Sequence, residues 1–314
     1  MTHAARDHGG GVDSAAVQYG GNRTDWIDLS TGINPLPYPL PDLPAHCWNT
    51  LPDLNAQNAL TDAARAFWQV PSGAAILAAP GASSLIARIP ALAAAGRVDI
   101  PAPTYNEHAA AFTNSGWEVN EIRPTARVLV HPNNPTGRLW QMDDLTAPLM
   151  VIDESFCDVT PEHSLITAAT RPGTLILKSF GKFWGLAGLR LGFAIGDPAL
   201  IDRLATMLGP WPVSGPALYI GAQALRDHQW ASATRQHLAT DSTRLDTLMA
   251  STGAKSKGGT TLFRLYDVPD AAALQSHLAQ HQIWTRIFPY SPTLIRLGLP
   301  TPTQWPRIEA ALAK

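Results

Sequence analysis

The sequence predicts an α/β protein: a large domain built on a mainly parallel sheet flanked by helices, together with a smaller α+β domain. Three observations predict it. Short apolar runs alternate with helical spacing from Ala74 to Ile195. Two of those runs, Leu149–Ile152 and Leu175–Leu177, are apolar without a break, as strands covered on both faces must be. After Gly209-Pro210-Trp211-Pro212 the character changes, and a long helical region leads into shorter alternating elements.

Taken in order, residues 31–54 are rich in proline and read as an extended connection. Ala74–Ala79 is an apolar strand that runs into Pro80-Gly81-Ala82-Ser83, and helical spacing then continues through Ala95. Val98–Ile100 reads as a strand, Glu107–Asn114 as a helix, and Arg127–Val130, Leu149–Asp153, Leu175–Lys178 and Leu191–Ile195 as further strands. Beyond residue 210, Ser214–Ala250 reads as one long helical region. Thr261–Leu265 (strand), Ala271–His281 (helix), Ile283–Arg286 and Leu294–Leu297 (strands) and Pro302–Leu312 (helix) follow. The expected division is a large domain over 46–210 and a small domain formed by 1–45 and 211–314, with an N-terminal arm.

Composition narrows the function. Apolar residues make up 45% and charged residues 15% of the 314, which supports a sizeable core and excludes wholesale disorder. A net charge of -2 offers no electrostatic footprint for nucleic acid or an anionic membrane, so neither is expected as a partner. No apolar run is long enough to span a bilayer, and the polar stretch Met1–Gly11 does not read as a signal peptide. Cys47 and Cys157, the only cysteines, make neither a disulfide framework nor a metal motif, so no metal is expected and a cytoplasmic setting fits. Lysine occurs only at 178, 182, 255, 257 and 314. Any chemistry that needs a lysine amine therefore has few candidates.

Five local patterns carry chemistry. Ser179-Phe180-Gly181-Lys182, with Arg190 eight residues on, places a hydroxyl, an amine and a guanidinium within twelve residues. A phosphate takes the first and third, and an aldehyde takes the amine. The bland alternative is a glycine-rich loop with a solvated lysine. Pro132-Asn133-Asn134-Pro135-Thr136-Gly137 makes a rigid turn that fixes Asn134 after a strand, where open α/β sheets bind ligands; it could also be only a turn. Asp153 ends an apolar strand, and a carboxylate buried there needs a cationic partner, either a protonated ring nitrogen or a structural ion pair. Gly81-Ala82-Ser83-Ser84, between strand and helix, offers backbone N–H groups to a phosphate. Pro103-Thr104-Tyr105 follows another strand end and could set a ring over a flat cofactor, or bury it in the core.

In this order and at these spacings the motifs resemble the class I/II aminotransferase superfamily, and the likeness covers nearly the whole chain. The resemblance implies the fold-type I architecture of pyridoxal 5'-phosphate-dependent transferases, with that cofactor. It implies Lys182 as the Schiff-base lysine, Ser179, Arg190, Ala82 and Ser83 as phosphate ligands, and Asp153 as partner of the ring nitrogen. Asn134 becomes the donor to the cofactor's phenolic oxygen, Tyr105 the stacking residue, and Arg296 the holder of the substrate carboxylate. A homodimer is implied as well.

A narrower resemblance, to the L-threonine-O-3-phosphate decarboxylase group of cobalamin biosynthesis, rests on four stretches. They are His8-Gly9-Gly10, Leu29-Ser30-Thr31-Gly32-Ile33-Asn34-Pro35, Lys182-Phe183-Trp184 and Pro210-Trp211-Pro212-Val213-Ser214. It implies release of CO2 from a phosphorylated amino acid, giving (R)-1-amino-2-propanol phosphate, with Asn34 among the substrate-facing residues. Freed Lys182 would return a proton to Cα. The pattern departs at Phe156, where the superfamily usually has tyrosine, at Leu51 before Pro52-Asp53, at Gly11, where the group has asparagine, and at Pro300, where it has a second arginine. Arg286 and His8 are the candidates to replace that cation. An aminotransferase of the histidinol-phosphate type stays open as the alternative. A dinucleotide-dependent dehydrogenase is disfavoured, because no G-x-G-x-x-G follows the first strand.

Overall fold

The computed structural model describes residues 8–313; the first seven residues of the expected N-terminal arm, and Lys314, lie outside it. Its strands, in chain order, are β1 (Ile27–Asp28), β2 (Ala75–Ala79), β3 (Arg97–Asp99), β4 (Glu118–Val119), β5 (Ala126–Val130), β6 (Leu149–Asp153), β7 (Thr174–Ser179), β8 (Gly192–Gly196), β9 (Lys255–Thr260), β10 (Phe263–Asp267), β11 (Ile283–Trp284), β12 (Arg286–Phe288) and β13 (Ser291–Gly298). Backbone contacts divide the chain into two units. The larger holds Pro37–Asn134 and Arg138–Thr234; the other holds the chain through Leu36, Pro135–Gly137 and everything from Arg235 on.

The larger unit is built on a seven-stranded sheet in the order β2-β8-β7-β6-β5-β3-β4. All neighbours pair in parallel except β8, which runs against both β2 and β7. The interior strands β6 and β7 are buried from Leu149 to Asp153 and from Thr174 to Lys178, which is why Leu149–Ile152 and Leu175–Leu177 read as unbroken apolar runs. A core of Leu85, Ile89, Val98, Phe112, Val128, Val151 and Leu175, among others, fills one layer between sheet and helices.

In the other unit, β12-β13-β10-β9 form an antiparallel sheet, and β1 pairs with β11 in parallel. Helices Val12–Tyr19, Ala271–Gln280 and Trp305–Leu312 belong to it.

Four expectations change. The helical spacing expected through Ala95 is a short helix, Ala82–Ile86, followed by a 3-10 turn over Ile89–Leu92, because Pro90 has no N–H to continue an α-helix. The single region Ser214–Ala250 is two helices, Gly215–Arg226 and His228–Ser251. Asp227 ends the first and starts the second, its Oδ1 accepting from Trp230 N at 2.9 Å. The strand expected over Ile283–Arg286 is divided at Thr285 into β11 and β12, which join different sheets. The division expected near residue 210 falls at 234–235, inside the second of those helices, where an unbroken helical pattern carries no signal of a boundary.

Candidate active site

Parallel pairing gathers the predicted residues. The carboxyl ends of β2, β3, β5, β6 and β7 share one edge of the large sheet, and the reversed strand β8 begins there. Ala82 and Ser83 follow β2, Tyr105 lies beyond β3, Asn134 beyond β5, Asp153 ends β6, Ser179 ends β7 with Lys182 three residues on, and Arg190 precedes β8. Open α/β sheets bind ligands beyond the carboxyl ends of their strands.

Asp153 is nearly sealed from solvent, at 3% exposure. Its Oδ2 lies 2.8 Å from His108 Nε2, and its Oδ1 accepts from Ser155 N at 3.0 Å and Ser155 Oγ at 2.5 Å. Burial alone would raise its pKa; the bond and charge of His108, then the bonds of Ser155, outweigh burial and hold it below the usual carboxylate value. An anionic carboxylate so held can keep a nearby ring nitrogen protonated.

Tyr105 stands at the start of helix Asn106–Asn114, its ring edge-on to His108 with centroids 6.0 Å apart. Asn133 ties this turn to the next: it accepts from Thr104 Oγ1 at 2.6 Å and donates to Pro103 O at 3.0 Å. Tyr105 and Asn134 are thereby set on two linked turns.

Lys182 is half-buried, with Nζ 5.3 Å from the centre of the Phe156 ring. Arg190 adopts a left-handed backbone (φ 53°), an uncommon state for a side chain larger than glycine. Its Nη1 donates to Ala187 O at 2.9 Å. A Cβ added to Gly81 would meet Arg190 Nη2 at 2.5 Å, and one added to Gly192 would meet Ala82 N at 2.5 Å. Both glycines thus allow the guanidinium and the Ala82 amide to approach one turn. Guanidinium, backbone N–H and the Ser179 hydroxyl form a donor set for a phosphate dianion. With an amine and a buried anionic carboxylate at the same sheet edge, the residues fit pyridoxal 5'-phosphate.

The four substrate candidates, Arg296, Arg286, His8 and Asn34, lie in the other unit. Arg296 is buried on β13, donates from Nη2 to Ser30 O, and has its guanidinium carbon 5.1 Å from the Phe263 ring centre. It stands directly opposite Arg286 of β12. Burial, then the charge of Arg286, pushes the Arg296 pKa down to about 10, so it stays protonated at neutral pH. Arg286 Nη1 donates to His8 O at 2.6 Å. Gly10 N donates to Ser30 Oγ at 2.6 Å and Trp284 Nε1 to Gly10 O at 2.9 Å, which lays the N-terminal segment against Ser30. Asn34 Oδ1 accepts from Leu36 N at 2.9 Å within its own turn.

Sequence reasoning missed His108, Ser155 and Asn133. The spacing of Tyr105 and His108 on one helix start was a usable signal, since residues three apart on a helix share a face.

One buried cluster, His131, Glu154 and Cys157, brings three potential metal ligands within 4.8 Å. Its donor atoms are already engaged. His131 Nδ1 accepts from Trp140 N and Nε2 contacts His163 O. Glu154 accepts from Leu165 N, Ser164 Oγ and the Lys178 ammonium. Burial keeps the Cys157 thiol protonated by pushing its pKa far up.

Comparison with known proteins bears on the family and the fold. Residues 125–312 match the family model described as aminotransferase class I and II. The chain is 39% identical over 326 residues to a threonine-phosphate decarboxylase of Pseudomonas aeruginosa, covering 98% of this chain and 97% of that protein. It is 40% identical over 311 residues to a threonine-phosphate decarboxylase of a Sinorhizobium species, covering 93% and 92%. The crystal structure of histidinol-phosphate aminotransferase from Sinorhizobium meliloti, in complex with pyridoxal-5'-phosphate, matches with a TM-score of 0.82 at 18% identity, covering 96% of this chain and 93% of that one. At that identity the structural likeness speaks for the fold.

Proposed function

The chain belongs to the aminotransferase class I and II family, and from that premise we propose that it decarboxylates L-threonine-O-3-phosphate to CO2 and (R)-1-amino-2-propanol phosphate, a step of cobalamin biosynthesis. One observation carries this reading: identity near 40% with threonine-phosphate decarboxylases along almost the full length of both chains. The protein is an enzyme, and its cofactor is pyridoxal 5'-phosphate. When bound, that group supplies an aldehyde for the substrate amine and a ring that accepts the electron pair left when the carboxylate departs.

The residues act as follows. Lys182 Nζ is the amine that would hold the cofactor, and once free it would carry the proton that Cα receives after CO2 has left. Asp153, held low by His108 and Ser155, would hold the proton on the ring nitrogen. Ser179, Arg190 and the amides of Ala82 and Ser83 would hold the cofactor phosphate, Asn134 its phenolic oxygen, and Tyr105 its ring. Arg296 takes the substrate carboxylate. Arg286, with His8 and Asn34, takes the substrate phosphate, the role left open by Pro300. In support, Arg286 and Arg296 face each other across β12 and β13, two cations matched to a substrate with two anionic groups.

We also read the protein as a cytoplasmic homodimer. Leu40, Trp48, Leu51 and Leu54 are each more than 60% exposed along one short segment, an apolar cost that a second copy would relieve. Both cysteines are free thiols, as a reducing compartment permits. No helix among the described residues is long and apolar enough to cross a membrane.

A single-turnover experiment tests the reading. The protein loaded with cofactor is given L-threonine-O-3-phosphate and no keto acid, and CO2 and the absorbance spectrum are followed. CO2 release with the starting spectrum restored is expected. Conversion of the cofactor to pyridoxamine phosphate without CO2 would instead make the protein an aminotransferase of the histidinol-phosphate type.

A further inference from the structure

We propose that Asp158 is a positioning residue for Lys182: with Lys178 it holds both ends of the loop that carries the linking lysine. The inference rests on the reading of Lys182 given above. Lys178 ends the buried part of β7, and Trp184 follows Lys182 by two residues. Lys178 Nζ lies 2.6 Å from Glu154 Oε2 and 3.7 Å from Asp158 Oδ1. Trp184 Nε1 donates to Asp158 Oδ2 at 3.1 Å, and Trp68 Nε1 donates to Oδ1 at 2.8 Å. One carboxylate therefore meets the residue before the loop and the residue after it.

All of these groups are out of water: Lys178 is 2% exposed, Glu154 0%, Asp158 3% and Trp184 0%. Burying three charges is expensive, and a buried ion pair is poor evidence for stability as such; its best-attested use is to specify an arrangement. Here the arrangement is the register of β6 on β7. Asp153 pairs with Leu177 in the last rung of the ladder, and Glu154 and Lys178, the residues that follow them, make the ion pair. Side chains alternate along a strand, which puts Glu154 and Lys178 on one face and Asp153 and Ser179 on the other. A slip of one residue would turn the cofactor ligands away, and it would also break the ion pair. The ring of Trp184 has little freedom to abandon Asp158, being stacked between Phe180 (5.0 Å, 11°) and Trp230 (5.3 Å, 13°). The part of the loop between these ends is short, and within it Lys182 O accepts from Gly185 N at 3.1 Å.

The test compares Asp158→Asn, Trp184→Phe, the double variant, Lys178→Met and Lys178→Arg with wild type. Tyr266→Phe, which breaks a partly buried hydrogen bond in the other unit, serves as a control for simple destabilisation. Four quantities are read: affinity of the apoprotein for pyridoxal 5'-phosphate, borohydride trapping at Lys182 by peptide mass, the pH midpoint of the bound cofactor's absorbance band, and the melting temperature without cofactor. Asp158→Asn and Trp184→Phe are each expected to weaken cofactor affinity about tenfold, the loss of one hydrogen bond to a charged acceptor, and to move the pH midpoint. The double variant should be no worse than the poorer single one, because both act through the same bond. Lys178→Arg should recover most of what Lys178→Met loses, and Tyr266→Phe should lower only the melting temperature. Should Asp158→Asn fail to fold, Trp184→Phe, which removes one N–H and keeps the ring, decides the matter. If wild type takes up cofactor at Lys182 and Trp184→Phe matches it in affinity and midpoint, the positioning role is overturned. If wild type itself shows no trapping at Lys182, the functional reading falls and this inference with it.

Discussion

His108 Nε2 lies 2.8 Å from Asp153 Oδ2, and both side chains are almost completely buried. Without His108, burial would drive Asp153 toward its neutral form; with it, the carboxylate is held low. A carboxylate with a depressed folded pKa stabilises the protein above the ordinary carboxylate range and loses that contribution as pH falls through the depressed value. His108 therefore favours the anionic form of Asp153 against the pull of burial.

Replacing His108 with Phe is expected to raise the Asp153 pKa and to lower kcat about ten- to a hundredfold, the worth of one charge-assisted hydrogen bond. The acid limb of the kcat/KM profile should move to higher pH. A profile that keeps its midpoints while activity falls would mean that His108 only packs.

Arg190 has a left-handed backbone and a guanidinium against the turn at Gly81. Arg190→Gly should relieve strain of about 1 kcal/mol and raise or preserve the melting temperature of the apoprotein. The same change should weaken cofactor binding by at least about tenfold through the lost phosphate contact. Calorimetry and cofactor titration on one sample separate the two effects, and an apoprotein less stable than wild type would refute the strain argument.

Arg286 and Arg296 are like charges directly opposite on paired strands, an arrangement that costs stability until an anion sits nearby. Arg286→Gln should raise the melting temperature of the substrate-free enzyme. It should also raise KM for the phosphorylated substrate about tenfold while kcat changes little. An unchanged KM would remove Arg286 from phosphate recognition.

His131 is held neutral by burial, which lowers its pKa, with Nδ1 accepting from Trp140 N and Nε2 facing His163 O. A depressed folded pKa contributes stability above the ordinary histidine value of about 6.5 and loses it as pH falls below that value. Thermal stability of wild type should therefore decline between about pH 7 and pH 5. His131→Asn, whose amide oxygen can stand in for Nδ1, should be less stable at neutral pH by about 1–3 kcal/mol yet flatter across that interval. An equal slope in both proteins would assign the acid sensitivity elsewhere.

The strand ends and turns that carry Lys182, Asp153, Asn134, Ser179 and Arg190 were legible along the chain because their signals are local. A strand end, a proline-framed turn or a Ser-x-x-Lys spacing needs only neighbouring residues to be recognised. The continuous apolar runs of β6 and β7 likewise announced a doubly covered sheet. The helix break at Asp227 and the edge strand Lys255–Thr260 were not legible. An aspartate inside a helical pattern does not reveal that it will cap a second helix, and a strand of Lys, Ser, Gly and Thr has no apolar alternation.

The sequence by itself determined the fold class, the family with its cofactor, and the strand ends and turns on which the candidate residues stand, since short-range spacing and turn chemistry encode them. Only the tertiary structure decided how those residues are tuned. His108 reaches Asp153 across 45 residues of chain, Trp184 reaches Asp158 across 26, and Arg296 reaches Ser30 across 266. Burial and partner charge set the behaviour of an ionisable group, and neither exists until the sheet has brought distant segments together.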